Sequence, residues 1–154
     1  MKILKTGLLC LLLSVCVVRA SAQIVGASRH DNLKKPELFH DLPRRMDVNA
    51  QSLAPLLQKE VGENVAMPLA SGFTFTGVVV SRSSAAELQY KTVVIRSTNR
   101  PGATLAITGV RSKDGSIQYS GRMLSLKHSD AYEMKNEGGQ LALEKTDLAD
   151  LVSE

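Results

Sequence analysis

The chain has few of the residues that usually carry catalysis or covalent cross-links. Its 154 residues include two cysteines, three histidines and no tryptophan. Both cysteines, Cys10 and Cys16, lie within residues 1–22, which we predict to be a signal peptide that is removed on export. A mature chain without cysteine excludes disulfide bonds, a cysteine nucleophile and cysteine-ligated zinc. The fold is therefore expected to depend on its hydrophobic core alone.

Residues 1–22 have the three-part layout of a signal peptide. A positively charged start precedes an apolar run at residues 7–18, and Ala20 and Ala22 fit a small-x-small cleavage site. The run is shorter than the roughly 20 residues that a membrane-crossing helix needs. We predict cleavage after Ala22, a periplasmic or secreted protein, and no transmembrane anchor.

The basic character of the full chain comes largely from the signal peptide. Lys2, Lys5 and Arg19 leave with it and no acidic residue does, so the formal net charge falls from +4 to +1. The remaining charges of both signs are spread along the chain. This balance lacks the basic patch typical of nucleic-acid binding, and we expect no nucleic-acid partner.

The mature chain divides into a leader and one domain. Residues 23–49 are polar, mixed in charge and without a sustained period, and we predict that they form a flexible leader. Residues 50–154 are predicted to form a single β-rich domain. The leader's apolar cluster is expected to dock on that domain as a short strap and consists of Leu38, Phe39, Leu42 and Met46.

The domain is predicted to begin with one short helix and to continue as strands. A helix at about residues 52–61 would place Leu53, Leu56 and Val61 on one face. About seven short strands follow, with turn residues between them, including a turn at residues 81–85. These connections are too short for crossover helices, so we predict a mainly β fold, either a small antiparallel sandwich or an open barrel. Residues 147–152 form either a terminal helix or a docked tail.

The central feature of the predicted sheet is a hairpin at residues 104–126. Its two β-type runs flank a polar stretch that contains Asp114 and Gly115. An Asp-Gly pair can supply the positive φ angles that a tight hairpin turn needs. We therefore expect both residues to adopt positive φ.

His128 and Asp130 are the candidate catalytic pair. They lie where a long predicted strand ends, and such loops often carry function. An alternative interpretation is therefore a small hydrolase or a metal-dependent enzyme that uses both residues. Ser129 and Asp130 are also ordinary turn residues, and no Gly-x-Ser-x-Gly elbow or phosphate-binding glycine loop occurs. We expect no enzyme activity, no cofactor and no metal.

Two further His-Asp pairs, His30-Asp31 and His40-Asp41, lie in the predicted leader. A catalytic or metal site needs a rigid first coordination shell, which a flexible leader is least suited to provide. We therefore predict that neither pair forms a site.

The run at residues 65–69 is the candidate docking element. Pro68 cannot donate a ladder hydrogen bond, so the run either lies at a sheet edge or is not a strand. At an edge, its unpaired backbone groups could bind a partner's strand. Its apolar residues Val65, Met67 and Leu69 are the predicted contacts. Arg122 is a further candidate, as part of a cationic strip or in a cross-strand ion pair.

Several short stretches resemble exported β domains. The matching segments are Phe75-Thr-Gly-Val-Val79, Thr92-Val-Val-Ile-Arg-Ser97, Pro101-Gly-Ala103, Tyr119-Ser-Gly-Arg122 and Asp130-Ala-Tyr-Glu133. Together they resemble short exported β-rich domains of Gram-negative bacteria, including propeptide-like N-terminal regions of secreted metalloproteases. The resemblance covers residues 38–152 and transfers no catalytic residue, and the His-Glu-x-x-His zinc motif is missing. It implies either a free-standing domain or the leading part of a longer precursor.

These observations predict a non-catalytic, exported binding or propeptide-like module that contacts another exported protein. The enzyme that uses His128 and Asp130 is one alternative. Envelope sugar or lipid binding is another, although the chain has no tryptophan and most of its six Phe and Tyr residues fall at predicted core positions.

Overall fold

The computed structural model describes residues 35–70, 72–85 and 89–152. The predicted signal peptide, residues 23–34 of the predicted leader and the His30-Asp31 pair lie outside these ranges. No helix within them is long and apolar enough to cross a membrane.

The described residues form one antiparallel sheet and two short helices. In chain order the elements are β1 (Arg45–Val48), α1 (Ala50–Leu56), β2 (Asn64–Ala70), β3 (Phe73–Ala85), β4 (Tyr90–Ser97), β5 (Thr104–Arg111), β6 (Ile117–Leu124), β7 (Asp130–Glu137), β8 (Gln140–Asp147) and α2 (Leu148–Val152). The strand order is β1-β8-β7-β6-β5-β4-β3-β2.

The sheet curls into a nearly closed barrel, so that its two edge strands, β1 and β2, lie close to each other. The mainly β, antiparallel fold class is confirmed. The sandwich alternative is wrong, since the eight strands of the described chain belong to one continuous sheet rather than two. Short connections between neighbouring strands give this up-and-down arrangement.

The strand prediction differs from the structure in two places. The eighth strand, β1, lies in the predicted leader, so the leader boundary at residue 49 is wrong. The predicted turn at residues 81–85 is also wrong, because β3 continues through it after a β-bulge between Val79 and Ser81. The bulge lets Ser81 and Ser83 pair with Val94 and Thr92 of β4, so polar residues continue the strand.

The helix predicted at about residues 52–61 is present, but its C-terminal limit is wrong. Helix α1 begins one residue after Asn49, whose side chain accepts a hydrogen bond from the Gln51 amide at 2.9 Å. It ends at Leu56, where tighter turns replace the helical bonds, and Val61 is exposed. A second helix, α2, covers Ala131 on the outside of β7.

The β5–β6 hairpin uses a different turn from the one predicted. Gly115 has a φ of +87°, whereas Asp114 is not among the residues with positive φ. The Gly115 amide bonds to the Ser112 carbonyl at 3.0 Å and the Ser112 amide to the Ser116 carbonyl at 2.8 Å. These bonds define a three-residue loop that ends in a glycine bulge. The Asp114 carboxylate accepts a bond from the Ser116 amide instead.

Side chains fill the inside of the barrel. An eight-stranded barrel is just wide enough to be filled in this way. Helix α1 closes one end, where Leu57 packs against Gly109, and residues 35–44 lie at the other end. The largest fully buried side chains are Tyr132, Phe39, Phe75, Met46, Leu53, Met67, Ile95, Leu105, Ile107, Met123, Leu143 and Val79.

Gly77 on β3 lies where two strands approach closely, and we expect Gly77→Ala to destabilise the barrel. An added Cβ would lie 2.4 Å from the Arg96 carbonyl oxygen and 2.7 Å from Ile95 Cγ2. Because a backbone carbonyl cannot move away as a flexible side chain can, we expect a loss of about 1–3 kcal/mol in unfolding free energy. Urea denaturation of Gly77→Ala and wild type measures this loss. Equal stability of Gly77→Ala and wild type would contradict the packing at Gly77.

Candidate functional site

Residues 35–44, which we call the strap, cross one end of the barrel and close it. Phe39 is 0% exposed, and its ring meets Tyr132 edge-on with the ring centroids 5.6 Å apart. The described part of the predicted leader is therefore packed into the fold. The sequence predicts only a docked apolar cluster at this position.

Asp130 holds the strap at its centre. Its carboxylate accepts hydrogen bonds from the backbone amides of Leu38 at 2.7 Å and Phe39 at 2.8 Å. Lys145 Nζ lies 3.4 Å from the same carboxylate, which is only 4% exposed. Asp130 begins β7 and Lys145 lies near the end of the neighbouring β8, so the sheet itself fixes both groups. This geometry makes Asp130 an anchor for the chain that crosses the barrel end.

Tyr132 and Arg100 hold the two sides of the strap. The Tyr132 hydroxyl donates to the Pro43 carbonyl at 2.5 Å. The Arg100 guanidinium bonds to the Leu38 carbonyl at 3.3 Å and to the Asp41 carboxylate, and it stacks over Phe73. The bond from Arg100 lowers the pKa of Asp41. Neither residue was predicted as part of a site, because their partners in the strap lie 62 and 89 residues away in sequence.

Burial raises the pKa of Tyr132 from 10.0 to about 12, and the nearby Asp130 carboxylate adds to the effect. Because the folded pKa is the higher one, the protonated phenol stabilises the fold below pH 10, and this stabilisation is lost as the pH rises toward 12. We expect one of the three tyrosines to titrate late in a phenolate absorbance titration. That late phase should be missing in Tyr132→Phe. A phase at about pH 10 that Tyr132→Phe removes from the folded protein would contradict the buried bond to Pro43.

His128 bonds to a different group from Asp130. His128 Nδ1 lies 2.9 Å from Ser125 Oγ, and the His128 amide donates to the Ser125 carbonyl at 3.1 Å. The His128 side chain therefore bonds within the β6–β7 turn, whereas the Asp130 side chain bonds to the strap. The pair that the sequence singled out does not share a hydrogen bond.

The acidic and histidine residues of the described ranges form no metal-binding group of three or more side chains. Asp41 of the His40-Asp41 pair bonds to Arg100. A polar groove of about 480 Å³ lies beside the strap. It is lined by Glu37, Arg44, Asp130, Lys145, Thr146, Asp147 and Asp150. Lys145 spans this groove to Glu37 at 3.1 Å.

Arg122 lies on the outer face of β6 and forms local contacts. It pairs with Glu133 across the β6–β7 ladder, at 3.7 Å between Nη2 and Oε1, and it donates to the Leu151 carbonyl at 3.2 Å. Of the two interpretations of this arginine, the structure therefore contains the cross-strand ion pair.

The predicted docking strand is an edge strand, as Pro68 indicated, but its apolar side chains point inward. Val65, Met67 and Leu69 are 4%, 1% and 4% exposed and belong to the core. Alternation places the other side chains, including Ala66 and Pro68, on the outside. A partner at this edge would therefore meet the outer residues and the free backbone rather than the three predicted side chains.

The free backbone groups of β2 are identified by the bonds of its neighbour β3. Thr76 turns both backbone groups toward β4, since its carbonyl accepts from the Thr98 amide at 2.8 Å and its amide donates to Asn99 Oδ1 at 3.2 Å. Ala66 is the residue opposite Thr76, so its own amide and carbonyl point away from β3. Pro68 has the same orientation and has no amide hydrogen to offer.

Strand β1 also has backbone groups that point away from its neighbour. The Lys145 amide bonds to the Arg44 carbonyl at 2.7 Å, so alternation turns the backbone of Met46 toward β8 and that of Arg45 and Asp47 away from it. Strands β1 and β2 are the two ends of the strand order and are not hydrogen-bonded neighbours. We call the gap between them the seam.

The seam widens into a groove of about 480 Å³ at the strap end of the barrel. The groove is lined by Pro43, Arg45, Met46, Asp47, Pro68, Leu69 and Ala70. A β-bulge between Pro68 and Ala70 shifts the β2–β3 register at this point. The seam thus combines free backbone groups with an accessible groove.

Comparisons of the chain with protein-family models, curated proteins and solved structures yield no match.

Proposed function

We propose that the chain is an exported, non-catalytic module that binds another exported protein at the seam between β1 and β2. The observation that supports this function is the outward orientation of the backbone groups of Arg45 and Asp47 on β1 and of Ala66 on β2. Edge groups of this kind can pair with an extended segment of a partner. A propeptide-like role is one form of the same function.

Features of the seam suit a fitted partner better than uncontrolled association. Pro68 removes one donor from β2, and β1 has only four residues. The exposed charges of Arg45 and Asp47 flank the edge of β1. Short, charged and proline-containing edges resist pairing with unrelated strands. A partner would therefore need a segment that matches the remaining donors and acceptors.

The alternative functions have less support from the geometry. An enzyme built on His128 and Asp130 would need a base and an orienting group in reach of a substrate, but these residues bond to Ser125 and to the strap. Lipid binding would need an apolar cavity, whereas large apolar side chains fill the barrel.

The proposal predicts that Ala66→Pro reduces partner binding without unfolding the protein. Proline removes the amide hydrogen that points into the seam, and the ladder with β3 does not use this hydrogen. We expect the affinity for the partner that co-purifies with residues 23–154 from the exported fraction to fall about twofold to tenfold, since one lost hydrogen bond corresponds to about 0.5–1.5 kcal/mol. Ala66→Ser keeps the amide and is the matched control.

Two outcomes would contradict the proposal. One is equal recovery of the same partner with Ala66→Pro and Ala66→Ser at equal thermal stability. The other is turnover of ester, peptide or glycoside substrates that His128→Ala abolishes. Met67→Lys is unsuitable for this test, because Met67 is 1% exposed and a lysine there would disrupt the core.

A further inference from the structure

Residues 35–48, the strap together with β1, form one continuous segment that we call the arm. The hydrogen bonds described for the strap go to Arg100, Asp130, Tyr132 and Lys145. β1 pairs with β8 on one side only, because its other side faces the seam. The arm therefore binds to residues 100–147 as a peptide binds to a receptor, with both partners in one chain.

The site that receives the arm requires an occupant. Without the arm, the buried Asp130 carboxylate would lose both amide donors, and the socket of Phe39 would be empty. A buried charge without its partners and an empty apolar socket both destabilise a fold. The edge of β8 would also be left with the unpaired backbone groups that now face β1.

A single residue joins the arm to the rest of the chain. Asn49 lies between the end of β1 at Val48 and the start of α1 at Ala50, with φ −75° and ψ 114°. This is extended backbone, which any residue adopts without strain. A rotation at Asn49 would carry the arm away from its own barrel as a unit.

We propose that two copies of this chain exchange arms, so that the arm of each copy occupies the barrel end and the β8 edge of the other. Every arm contact described above is kept in such a dimer, because the exchanged element is identical. Exchange occurs during folding after export, before Phe39 and the Asp130 bonds are in place. The inference does not depend on the seam partner proposed above.

Mass action sets the conditions for exchange. An arm on a short link has an effective concentration of roughly millimolar for its own site, and a second copy competes better as the protein becomes more concentrated. The ratio of exchanged dimer to monomer should therefore rise about tenfold for each tenfold increase in free monomer during folding.

Engineered cysteines provide the test, because the mature sequence has none of its own. Asp47 on the arm lies opposite Ala142 on β8, and Lys135 on β7 lies opposite the same Ala142. The test protein is residues 23–154 with Asp47→Cys and Ala142→Cys. The matched control carries Lys135→Cys and Ala142→Cys, a pair that stays within one chain whether or not the arm is exchanged. Both proteins are refolded at a series of protein concentrations and oxidised. Their molecular masses are then measured under non-reducing conditions.

We expect the Asp47–Ala142 pair to give disulfide-linked dimers in a concentration-dependent fraction and the Lys135–Ala142 pair to give monomers throughout. Coexpression of two tagged versions should yield mixed dimers from the exported fraction. Intrachain disulfides alone in the test protein at every concentration would overturn the proposal. Equal dimer formation by test and control would also overturn it, since the cross-link would then not report the arm.

Discussion

Phe39→Ala should lower the unfolding free energy by about 3–5 kcal/mol, as truncation of a fully buried phenylalanine does in other cores. Phe39 is 0% exposed and packs edge-on against Tyr132 at the barrel end. The truncation removes this contact and leaves a cavity beside side chains that the sheet holds in place. Urea denaturation should show a lower midpoint with an unchanged slope.

Leu42→Ala is the control for this prediction. Leu42 belongs to the same strap but is only partly buried, so its truncation should cost less than half as much. A loss below about 1 kcal/mol for Phe39→Ala would mean that the strap rests on the barrel without contributing to its core. In that case residues 35–44 would be better described as part of a flexible leader than as a packed strap.

Asp130→Ala should be comparably damaging, with an expected loss of about 3–5 kcal/mol. The substitution leaves the Leu38 and Phe39 amides without their acceptor and Lys145 without its buried counter-charge. Asp130→Asn retains one acceptor oxygen and should lose less. The measurement is again the unfolding free energy, at a pH near neutral.

Asp147→Asn is the matched control, since Asp147 lies opposite Asp130 in the β7–β8 ladder but is exposed. It should change stability by less than about 0.5 kcal/mol. Because Asp130 and Phe39 hold the same strap, the double substitution should cost less than the two single losses combined. Full additivity would indicate that the two residues act independently and would contradict the anchoring role of Asp130.

Short β-type runs between turn residues predicted most of the sheet. β2 and β4 follow runs with a period of two, β5 to β8 follow apolar runs bounded by turn residues, and Pro68 agrees with the edge position of β2. Strand β1 was missed because four residues are too few to show a reliable period of two. Charged residues also lie within and next to this strand. The extension of β3 was missed because serines at residues 81–84 are typical of turns, and the β-bulge that admits them leaves no local signal.

The site was less predictable than the fold. The role of Asp130 depends on amides that lie 91 and 92 residues away in sequence, and no local pattern reveals such a pairing. The inward orientation of Val65, Met67 and Leu69 was implied by alternation, since the apolar side of an edge strand faces the core. The docking interpretation gave these side chains a surface role that the packing of the barrel excludes.

Backbone amide exchange of the free protein tests the open seam most directly. The account predicts fast exchange at Asp47 and Ala66, whose amides face the seam, and slow exchange at Met46 and Met67, whose amides face β8 and β3. Asp47 and Met46 are neighbours on β1, and Ala66 and Met67 are neighbours on β2, so each comparison is made within one strand. Protection of Asp47 and Ala66 as strong as that of Met46 and Met67 would mean that β1 and β2 pair directly. The barrel would then be closed, with no edge available to a partner.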